Sequence, residues 1–296
     1  MALSAAARAL GARIVGPDVG FGSVSTDSRT LEPGALFVAL RGERFDGHDY
    51  LETARGRGAA AAMVDRVTGF AGSAGHLPLL VVGDTRLALG ALAKAWRARF
   101  DIPVIAVTGS NGKTTVKEMI AVCLRAHFGA DRVLATAGNL NNDIGLPLTL
   151  LGLRETHACA VVELGMNHPG ETAYLADLAR PTVAVVNNAQ REHQEFMKSV
   201  ADVAAEHSAV LAALPITGVA VVNEDDAHAP YWKGIAGARA VRGFGLHAGA
   251  VTATARAGAM ESDIELRTPE GTASAVLHVP GVHNVRNALA ASISLV

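Results

Sequence analysis

The stretch Val104-Ile105-Ala106-Val107-Thr108-Gly109-Ser110-Asn111-Gly112-Lys113-Thr114-Thr115 decides the fold of this chain. It begins as an apolar run typical of a buried strand, turns at its glycines and continues as a helical pattern to about Phe128. A strand, a glycine turn and a helix N-terminus in this order make a phosphate site, because backbone N–H groups and the helix dipole both favour an anion. The sequence therefore predicts that a nucleotide triphosphate binds at this turn.

The turn is a short variant of the common phosphate-binding pattern G-x-x-x-x-G-K-[ST]. Val107 stands where that pattern has its first glycine, so the match rests on T-G-S-N-G-K-T-T. A plain strand-to-helix turn is the alternative, but lysine is scarce and occurs only at positions 94, 113, 117, 198 and 233. We expect Lys113 to meet the outer phosphates and the Thr114 hydroxyl to bind a phosphate-bound magnesium ion. The candidate nucleotide-binding residues are Thr108, Gly109, Ser110, Asn111, Gly112, Lys113, Thr114 and Thr115.

Composition sets limits on the class of protein. The chain has 296 residues, of which 50% are apolar and 18% charged, so it can bury the core of more than one domain. The formal net charge is -2 and no basic run occurs, which argues against nucleic acid as a partner. No basic start followed by an apolar run opens the chain, and no apolar stretch is long enough to span a bilayer. We therefore expect a cytoplasmic protein without membrane insertion.

Three segments of the chain differ in their patterns of apolar and polar residues. Residues 1–83 alternate short helical and strand patterns, which predicts a small α/β domain. Residues 84–102 predict a linking helix with Asp84 as its N-cap. From 103 to 296, near-continuous apolar strands alternate with helices, which is typical of a parallel sheet covered on both faces. The predicted fold class is thus α/β: a small substrate domain, then a P-loop-type, mostly parallel sheet with an antiparallel flank at 239–280.

Polar side chains follow two of the predicted buried strands. Glu163 ends the strand near 158–162, and carboxyl ends of strands are where open α/β sheets bind ligands. Because magnesium prefers oxygen ligands, Glu163 is a candidate ligand, with a solvent-facing glutamate as the alternative. His193 lies in the polar run 187–197 and could hold a metal or a metal-bound water, although lone histidines are usually structural. The predicted metal ligands are Thr114, Glu163 and His193.

Two further loops contain candidate contact residues. The amide-rich loop 136–147 suits hydrogen bonding to a sugar or peptide through Thr136, Asn139 and Asn142, with a plain turn as the alternative. Residues 283–288 open a helix, in which Asn284 is either an N-cap or, with Asn287, a nucleotide contact. In the first domain, 25–29 and 41–50 could cradle a diphosphate or a uracil, or could be surface turns.

These segments together resemble the Mur ligase family. The resemblance runs from Ser25 to Asn287 and rests on motifs that are too specific and too well ordered for chance. They are V-T-G-S-N-G-K-T-T at 107–115, G-N-L-N-N-D-I-G-L-P-L at 138–148, E-L-G-M-N-H-P-G-E at 163–171, N-N-A-Q-R-E-H at 187–193 and H-N-V-R-N-A at 283–288. Within the family, the second and third motifs favour the member that adds D-alanyl-D-alanine.

The resemblance implies an ATP-dependent and magnesium-dependent ligase of cell-wall precursor synthesis, which we expect to be a monomer. The carboxylate of UDP-N-acetylmuramoyl-tripeptide would take the γ-phosphoryl group of ATP, and the amine of D-alanyl-D-alanine would attack the acyl phosphate. Lys113, Glu163 and His193 would be catalytic, and Asn284 and Asn287 would contact the nucleotide. The first domain would bind the UDP end through Thr26, Asp27, Ser28, Arg29, Gly42, Phe45, Asp46 and His48.

The sequence departs from the family pattern in two places. Many members carry a carbamylated lysine where this chain has His207, and we hypothesised that the preceding Glu206 supplies the negative group near a second magnesium. The family also has a third, C-terminal domain, whereas this sequence ends at Val296, so we expect the chain to bind the UDP substrate without catalysing ligation. The alternatives are a Mur ligase that adds the third amino acid and a non-catalytic nucleotide-binding fragment.

Overall fold

The computed structural model describes residues 1–67, 77–192, 195–258 and 260–294. The chain divides into two compact units, one formed by Met1–Phe100 with Leu150–Leu153 and the other by Asp101–Thr149 with Arg154–Val296. The first unit contains the segment predicted to bind the UDP end, and the second contains the phosphate-binding turn. The division into 1–83, 84–102 and 103–296 remains a proposal about domains.

The first unit is built on a five-stranded sheet with the order β1-β5-β4-β3-β2. Its strands run parallel except for β1, which pairs antiparallel with β5. Strand residues such as Phe37, Met63 and Leu80 are fully buried and form its core. The elements are α1 (Leu3–Leu10), β1 (Arg13–Val15), β2 (Ser23–Ser25), β3 (Ala35–Val38), a 3₁₀ turn (Gly47–Tyr50), α2 (Leu51–Gly56), β4 (Ala61–Val64), β5 (Leu79–Val81) and α3 (Thr85–Arg97).

Helix α3 begins where its sequence predicts. The Asp84 side chain accepts hydrogen bonds from the backbone N–H groups of Arg86 and Leu87, which makes Asp84 the N-cap. The helix ends at Arg97, a few residues before Pro103, and belongs to the first unit.

The second unit is built on a six-stranded sheet with the order β11-β10-β9-β6-β8-β7. Every pairing in this sheet is parallel, as predicted for strands that are buried on both faces. The elements are β6 (Val104–Thr108), α4 (Lys113–Phe128), β7 (Val133–Ala135), α5 (Gly145–Leu151), β8 (Cys159–Glu163), α6 (Glu171–Ala179), β9 (Val183–Val186), α7 (Val200–Ala212), β10 (Val219–Asn223), α8 (Ala229–Ala236), β11 (Ala240–Phe244), β12 (Thr252–Ala257), β13 (Ser262–Thr268), β14 (Gly271–Leu277) and α9 (Val282–Ile293).

Strand β6 lies inside this sheet, and the chain builds outward from it in both directions. Strands β8 and β7 lie on one side of β6, and β9, β10 and β11 lie on the other. The order of strands therefore reverses beside β6, and in open α/β sheets ligands bind at the carboxyl ends of strands at such a reversal. The phosphate-binding turn leaves β6 at this point.

Helices α4 and α9 cover the sheet with apolar residues. Val116 and Ile120 of α4 and Val285 and Leu289 of α9 belong to one buried cluster with Val107 of β6. Helix α4 has 16 residues, and none of the helices in the described ranges is long and apolar enough to cross a membrane.

The antiparallel flank is present but shorter than predicted. Strands β12, β13 and β14 form a separate three-stranded antiparallel sheet within the second unit. The prediction was wrong for β11, which pairs parallel with β10 at the edge of the main sheet. Exposed Ala240 and Val241 precede buried Phe244 in this strand. An edge strand with exposed residues lacks the continuous apolar run that marks the inner strands.

Candidate active site

The phosphate loop, residues 109–112, joins β6 to α4 in the predicted geometry. Gly109 and Gly112 have φ values of +138° and +79°, which a residue with a Cβ rarely adopts. A Cβ on Gly109 would lie 3.0 Å from Asn187 Cβ, and one on Gly112 would lie 2.5 Å from Asn287 Oδ1. Glycine is therefore required at both positions, by the backbone conformation and by the lack of space for a Cβ. The sequence alone predicted only a glycine turn here.

Lys113 is the first residue of α4, and its side chain folds back over the loop. Its Nζ donates to the carbonyl oxygens of Gly109 at 2.5 Å and Ser110 at 3.3 Å. The ammonium group thus lies over the loop, where the α4 N-terminus adds its positive dipole. Thr114 and Thr115 follow in the first turn of α4, with Thr114 exposed. The arrangement can hold a phosphate group between backbone N–H groups and a lysine.

The segment after β9 holds the phosphate loop in place. The backbone oxygen of Asn188 accepts a hydrogen bond from the Ser110 N–H at 3.0 Å, and its side-chain Oδ1 accepts one from the Asn111 N–H at 2.9 Å. Asn187 donates its amide to the backbone oxygen of Asn111 at 2.8 Å and to Asn287 Oδ1 at 3.0 Å. The loop conformation therefore depends on the strand beside β6 and on helix α9.

Glu163 lies at the end of β8 with one oxygen engaged and one without a partner. The residue is 1% exposed, and its Oε1 accepts from Asn141 Nδ2 at 2.6 Å. Oε2 is buried and has no hydrogen-bond partner among the described residues. A buried carboxylate oxygen without a partner is costly unless a cation meets it. This residue therefore fits a magnesium ion, which takes carboxylate oxygens and keeps other positions for water and phosphate.

The other predicted metal ligands are less well defined by the structure. His193 lies outside the described residues, so its role stays a prediction. Within the described ranges, no group of three or more His, Cys, Asp or Glu side chains is arranged to hold a metal ion. Magnesium sites built from one or two carboxylates with phosphate oxygens do not need such a group.

The amide-rich loop supports Glu163. Thr136 is 1% exposed, and its Oγ1 accepts the backbone N–H of Glu163 at 3.0 Å, so its hydroxyl fixes the backbone at the end of β8. Asn142 caps α5 by accepting the N–H of Gly145 at 2.8 Å. Asn139 is exposed and remains a candidate for substrate contact. Asn141, which the sequence analysis did not single out, is the residue that bonds Glu163. Thr136 and Asn142 therefore each have a structural partner, and their contact with substrate stays a prediction.

His207 and Glu192 form a buried pair behind the phosphate loop. His207 is fully buried, with Nδ1 at 2.9 Å from Thr108 Oγ1 and Nε2 at 2.9 Å from Glu192 Oε1. Burial works against ionisation of Glu192, but the hydrogen bond from His207 and the charge of Lys113 hold the pKa of this carboxyl below its usual value. The sequence analysis singled out His207 but missed Glu192.

Glu206 points away from this pair. Its two carboxylate oxygens accept the N–H groups of Gly170 at 2.9 Å and Thr172 at 2.8 Å, at the N-terminus of α6. This carboxylate therefore caps a helix, which corrects the hypothesis that Glu206 supplies a negative group beside a second magnesium. Glu206 and His207 have different partners, because successive helical residues diverge by about 100°.

A polar cleft of about 460 Å³ adjoins the phosphate loop. Asn287 lines it, whereas Asn284 accepts a hydrogen bond from Asn287 at 3.3 Å and donates to the Pro280 oxygen at 2.8 Å. Asn284 lies inside α9, and the N-cap is Gly281, so the capping alternative was wrong. The cleft is lined by Asn111, Gly112, Asn187, Asn188, Gln190, Asn223, Asp225, Asp226, His283, Arg286 and Asn287.

Strand β10 contributes residues to this cleft that were not predicted from the sequence. Asn223, Asp225 and Asp226 directly follow the apolar part of β10. They meet the same criterion, polar residues at the carboxyl end of a core strand, that identified Glu163. Asp225 and Asp226 are also held by the backbone, since Asp225 accepts from the Leu246 N–H at 2.7 Å and Asp226 from the Ala189 N–H at 2.9 Å.

In the first unit, the segment 25–29 is fixed by an ion pair. Arg29 donates from Nε to Asp27 Oδ1 at 2.9 Å and from Nη2 to Oδ2 at 2.8 Å. These hydrogen bonds lower the pKa of Asp27 to about 2. Arg29 is exposed, Thr26 is partly buried and Ser28 is buried. The segment therefore presents an ordered guanidinium group to solvent.

The segment 41–50 is organised around a buried histidine. His48 is 4% exposed, its Nδ1 lies 2.6 Å from Asp46 Oδ1, and its Nε2 accepts the Asp65 N–H at 3.3 Å. Burial opposes ionisation of Asp46, but hydrogen bonds from Arg66 and His48 keep its pKa well below the usual range. Phe45 is exposed and covers Gly42, where a Cβ would lie 2.5 Å from its ring. Asp46 and His48 thus shape the loop that carries Phe45 and Gly42.

Comparison with known proteins identifies the family. Residues 107–295 match the Mur ligase middle domain, and residues 21–97 match the catalytic domain of the Mur ligase family. The chain belongs to the Mur ligase family. This confirms the resemblance drawn from the ordered motifs.

Named relatives within the Mur ligase family are similar over nearly the whole chain. The UDP-N-acetylmuramoyl-tripeptide–D-alanyl-D-alanine ligase of Escherichia coli is 43% identical over 96% of this chain, and that of Haemophilus influenzae is 40% identical over 97%. The chain spans 62% of the length of each of these two relatives.

Solved structures of Mur ligases confirm the α/β fold. A crystal structure of MurF from Acinetobacter baumannii has a TM-score of 0.91 at 35% identity, covering 99% of this chain and 64% of that one. MurF ligase from Thermotoga maritima in complex with ADP has a TM-score of 0.77 at 26% identity, covering 91% of this chain and 61% of that one.

Proposed function

We propose that this chain carries the UDP-substrate and nucleotide sites of an ATP-dependent ligase. The enzyme would join the terminal carboxylate of UDP-N-acetylmuramoyl-tripeptide to the amine of D-alanyl-D-alanine. The observation that carries the proposal is the adjacency of two features at neighbouring strand ends: a phosphate loop with Lys113 folded over it, and buried Glu163 with an oxygen that lacks a described partner. The reaction is that named for the E. coli and H. influenzae relatives.

The proposed reaction has two steps. A carboxylate oxygen of the tripeptide attacks the γ-phosphorus of ATP, and the bond to ADP breaks, giving an acyl phosphate. The amine nitrogen of D-alanyl-D-alanine then attacks the acyl carbon, phosphate leaves with the shared oxygen, and the nitrogen loses a proton. Both steps place extra negative charge on phosphoryl oxygens, so fixed positive groups in the site lower both barriers.

Each residue of the site has a distinct part in this scheme. Lys113 neutralises charge on the transferring phosphoryl group, and the loop N–H groups orient the phosphates. Magnesium, when bound, supplies further charge neutralisation; Glu163 would hold it, with Thr114 and His193 as the remaining predicted ligands. Asn141 holds the Glu163 carboxylate and Thr136 holds the Glu163 backbone through the hydrogen bonds described above.

The cleft beside the phosphate loop is the proposed site of the nucleoside part of ATP. It lies within reach of a phosphate bound at Gly112, and its amide and carboxylate side chains can bond a base and a ribose. Asn287 would contact the nucleotide directly, and Asn284 would hold Asn287 in place. The T. maritima relative was crystallised with ADP, which supports a nucleotide site in this fold.

The UDP end of the substrate is assigned to the first unit. Ordered Arg29 provides a cation suited to a diphosphate, and His48 fixes the segment 41–50 through its contact with Asp46. Thr26, Asp27 and Ser28 would complete the contacts, with Gly42, Phe45 and Asp46 shaping the pocket. We further propose that the protein is a monomer and that it acts in the cytoplasm, where ATP and nucleotide-linked precursors are available.

A substrate panel tests the proposed function. The enzyme that carries this sequence is assayed for phosphate release with ATP, UDP-muramoyl dipeptide or tripeptide, and either D-alanyl-D-alanine or single amino acids. We expect release only with the tripeptide and D-alanyl-D-alanine together. Release with the dipeptide and one amino acid would instead identify a ligase that adds the third residue. ATP binding without release in any combination would indicate a non-catalytic nucleotide-binding protein.

A further inference from the structure

The Glu192 carboxylate brings a fixed negative charge to the phosphate loop. Its Oε1 accepts from Ser110 Oγ at 2.8 Å and lies 2.9 Å from His207 Nε2. Its Oε2 lies 4.0 Å from Lys113 Nζ. The side chain is 13% exposed and rests against fully buried His207. The carboxylate is therefore held at the loop by the fold itself.

A carboxylate at this place opposes the binding of a free triphosphate. Unit charges about 4 Å apart interact strongly at a partly buried site, where the effective dielectric is well below that of water. Glu192 therefore offsets part of the attraction that Lys113 exerts on phosphate and adds repulsion of its own. A divalent cation carried by the phosphates reverses the sign of this interaction, because the carboxylate then faces a positive group.

We propose that Glu192 couples nucleotide binding to magnesium, by disfavouring the free triphosphate and favouring its magnesium-bound form. The proposal rests on the proposed ATP site. Glu192 acts as a positioned charge: its Oε1 is already engaged by Ser110 and His207, whereas Glu163 offers a buried oxygen without a described partner as a direct ligand. By linkage, the factor by which magnesium strengthens ATP binding equals the factor by which ATP strengthens magnesium binding.

The test compares ATP affinity with excess magnesium and with EDTA, by calorimetric titration of the purified protein. Glu192→Gln removes the charge but keeps an oxygen that can accept from Ser110 and His207. We expect its affinity for magnesium-free ATP to rise by about tenfold, and the magnesium enhancement factor to fall by at least about tenfold. Glu192→Asp keeps the charge, and we expect it to retain most of the wild-type factor.

Glu155→Gln is the matched control. Glu155 is exposed in the turn before β8, at the amino ends of the parallel strands, whereas the phosphate loop follows the carboxyl end of β6. The Glu155→Gln substitution removes one negative charge from the same unit. We expect magnesium to strengthen ATP binding to this variant by the same factor as in the wild type. The proposal is overturned if Glu192→Gln keeps the wild-type factor, if Glu155→Gln or Glu192→Asp lowers it as much, or if magnesium does not strengthen ATP binding to the wild type. Wild-type protein that binds no ATP under either condition would overturn the proposed nucleotide site as well.

Discussion

Replacing Lys113 with alanine is expected to lower the rate of ATP-dependent amide formation by about 10²–10³, which is the usual loss when one preorganised charge is removed from a developing anion. The Lys113 ammonium donates to the loop carbonyl oxygens of Gly109 and Ser110 and lies 4.0 Å from the Glu192 carboxylate. These partners all lie at the site, so removal of the side chain leaves the apolar core intact. Steady-state kinetics with saturating substrates measures the loss, and the thermal midpoint of unfolding confirms that the variant is folded.

Lys198→Ala provides the comparison for Lys113. Lys198 is an exposed lysine of the same unit, just before α7, so its removal changes the net charge equally. We expect this variant to turn over at nearly the wild-type rate. Wild-type kinetics in Lys113→Ala, or equal losses in both variants, would contradict the assignment of the phosphate loop.

Replacing Glu163 with glutamine is expected to lower the rate by at least about 10², and to raise the magnesium concentration needed for half-maximal rate. Glutamine keeps the shape and the hydrogen bond from Asn141 but removes the charge that attracts a cation. Because the carboxylate is buried with one oxygen lacking a described partner, losing its charge should not destabilise the magnesium-free protein. Magnesium titration of the rate and thermal unfolding without magnesium measure the two effects.

Glu270→Gln is the control for Glu163, because Glu270 is exposed in the turn between β13 and β14. Its magnesium dependence should match that of the wild type. If Glu163→Gln showed the same half-maximal magnesium concentration as this control, Glu163 would not be a ligand.

The second unit was predictable because its inner strands are buried on both faces. Val104–Thr108, Cys159–Glu163 and Val183–Val186 are nearly unbroken apolar runs, and each ends at, or directly before, a residue that the fold brings to the site. Strand β11 was misassigned because an edge strand keeps exposed residues, and β1 and β2 are hard to recognise in the sequence because neither strand has a fully buried residue. The pattern of apolar residues along the sequence identifies strands that are buried on both faces, but it does not identify strands that are only partly buried.

Residues of the candidate site were predictable where the residue type and its position after a strand are enough to indicate its chemical role. Glu163 ends β8 and Lys113 begins α4 after the glycine turn that follows β6, so their chemistry could be predicted from their positions. Thr136, Asn141 and Glu192 could not be assigned in this way, because their roles depend on partners distant in sequence: Glu163 for the first two, and Ser110 and His207 for Glu192. Glu206 and His207 are neighbours in sequence with unrelated tasks, which only the direction of each side chain reveals.

The most direct test of the central claim follows an oxygen atom. UDP-N-acetylmuramoyl-tripeptide labelled with ¹⁸O in its terminal carboxylate is incubated with the enzyme, ATP, magnesium and D-alanyl-D-alanine, and the products are analysed by mass spectrometry. Attack of the carboxylate on the γ-phosphorus followed by attack of the amine on carbon predicts one ¹⁸O atom in the released phosphate, with ADP and amide formed in equal amounts. Amide formed with unlabelled phosphate, or ATP hydrolysed without amide, would contradict the account.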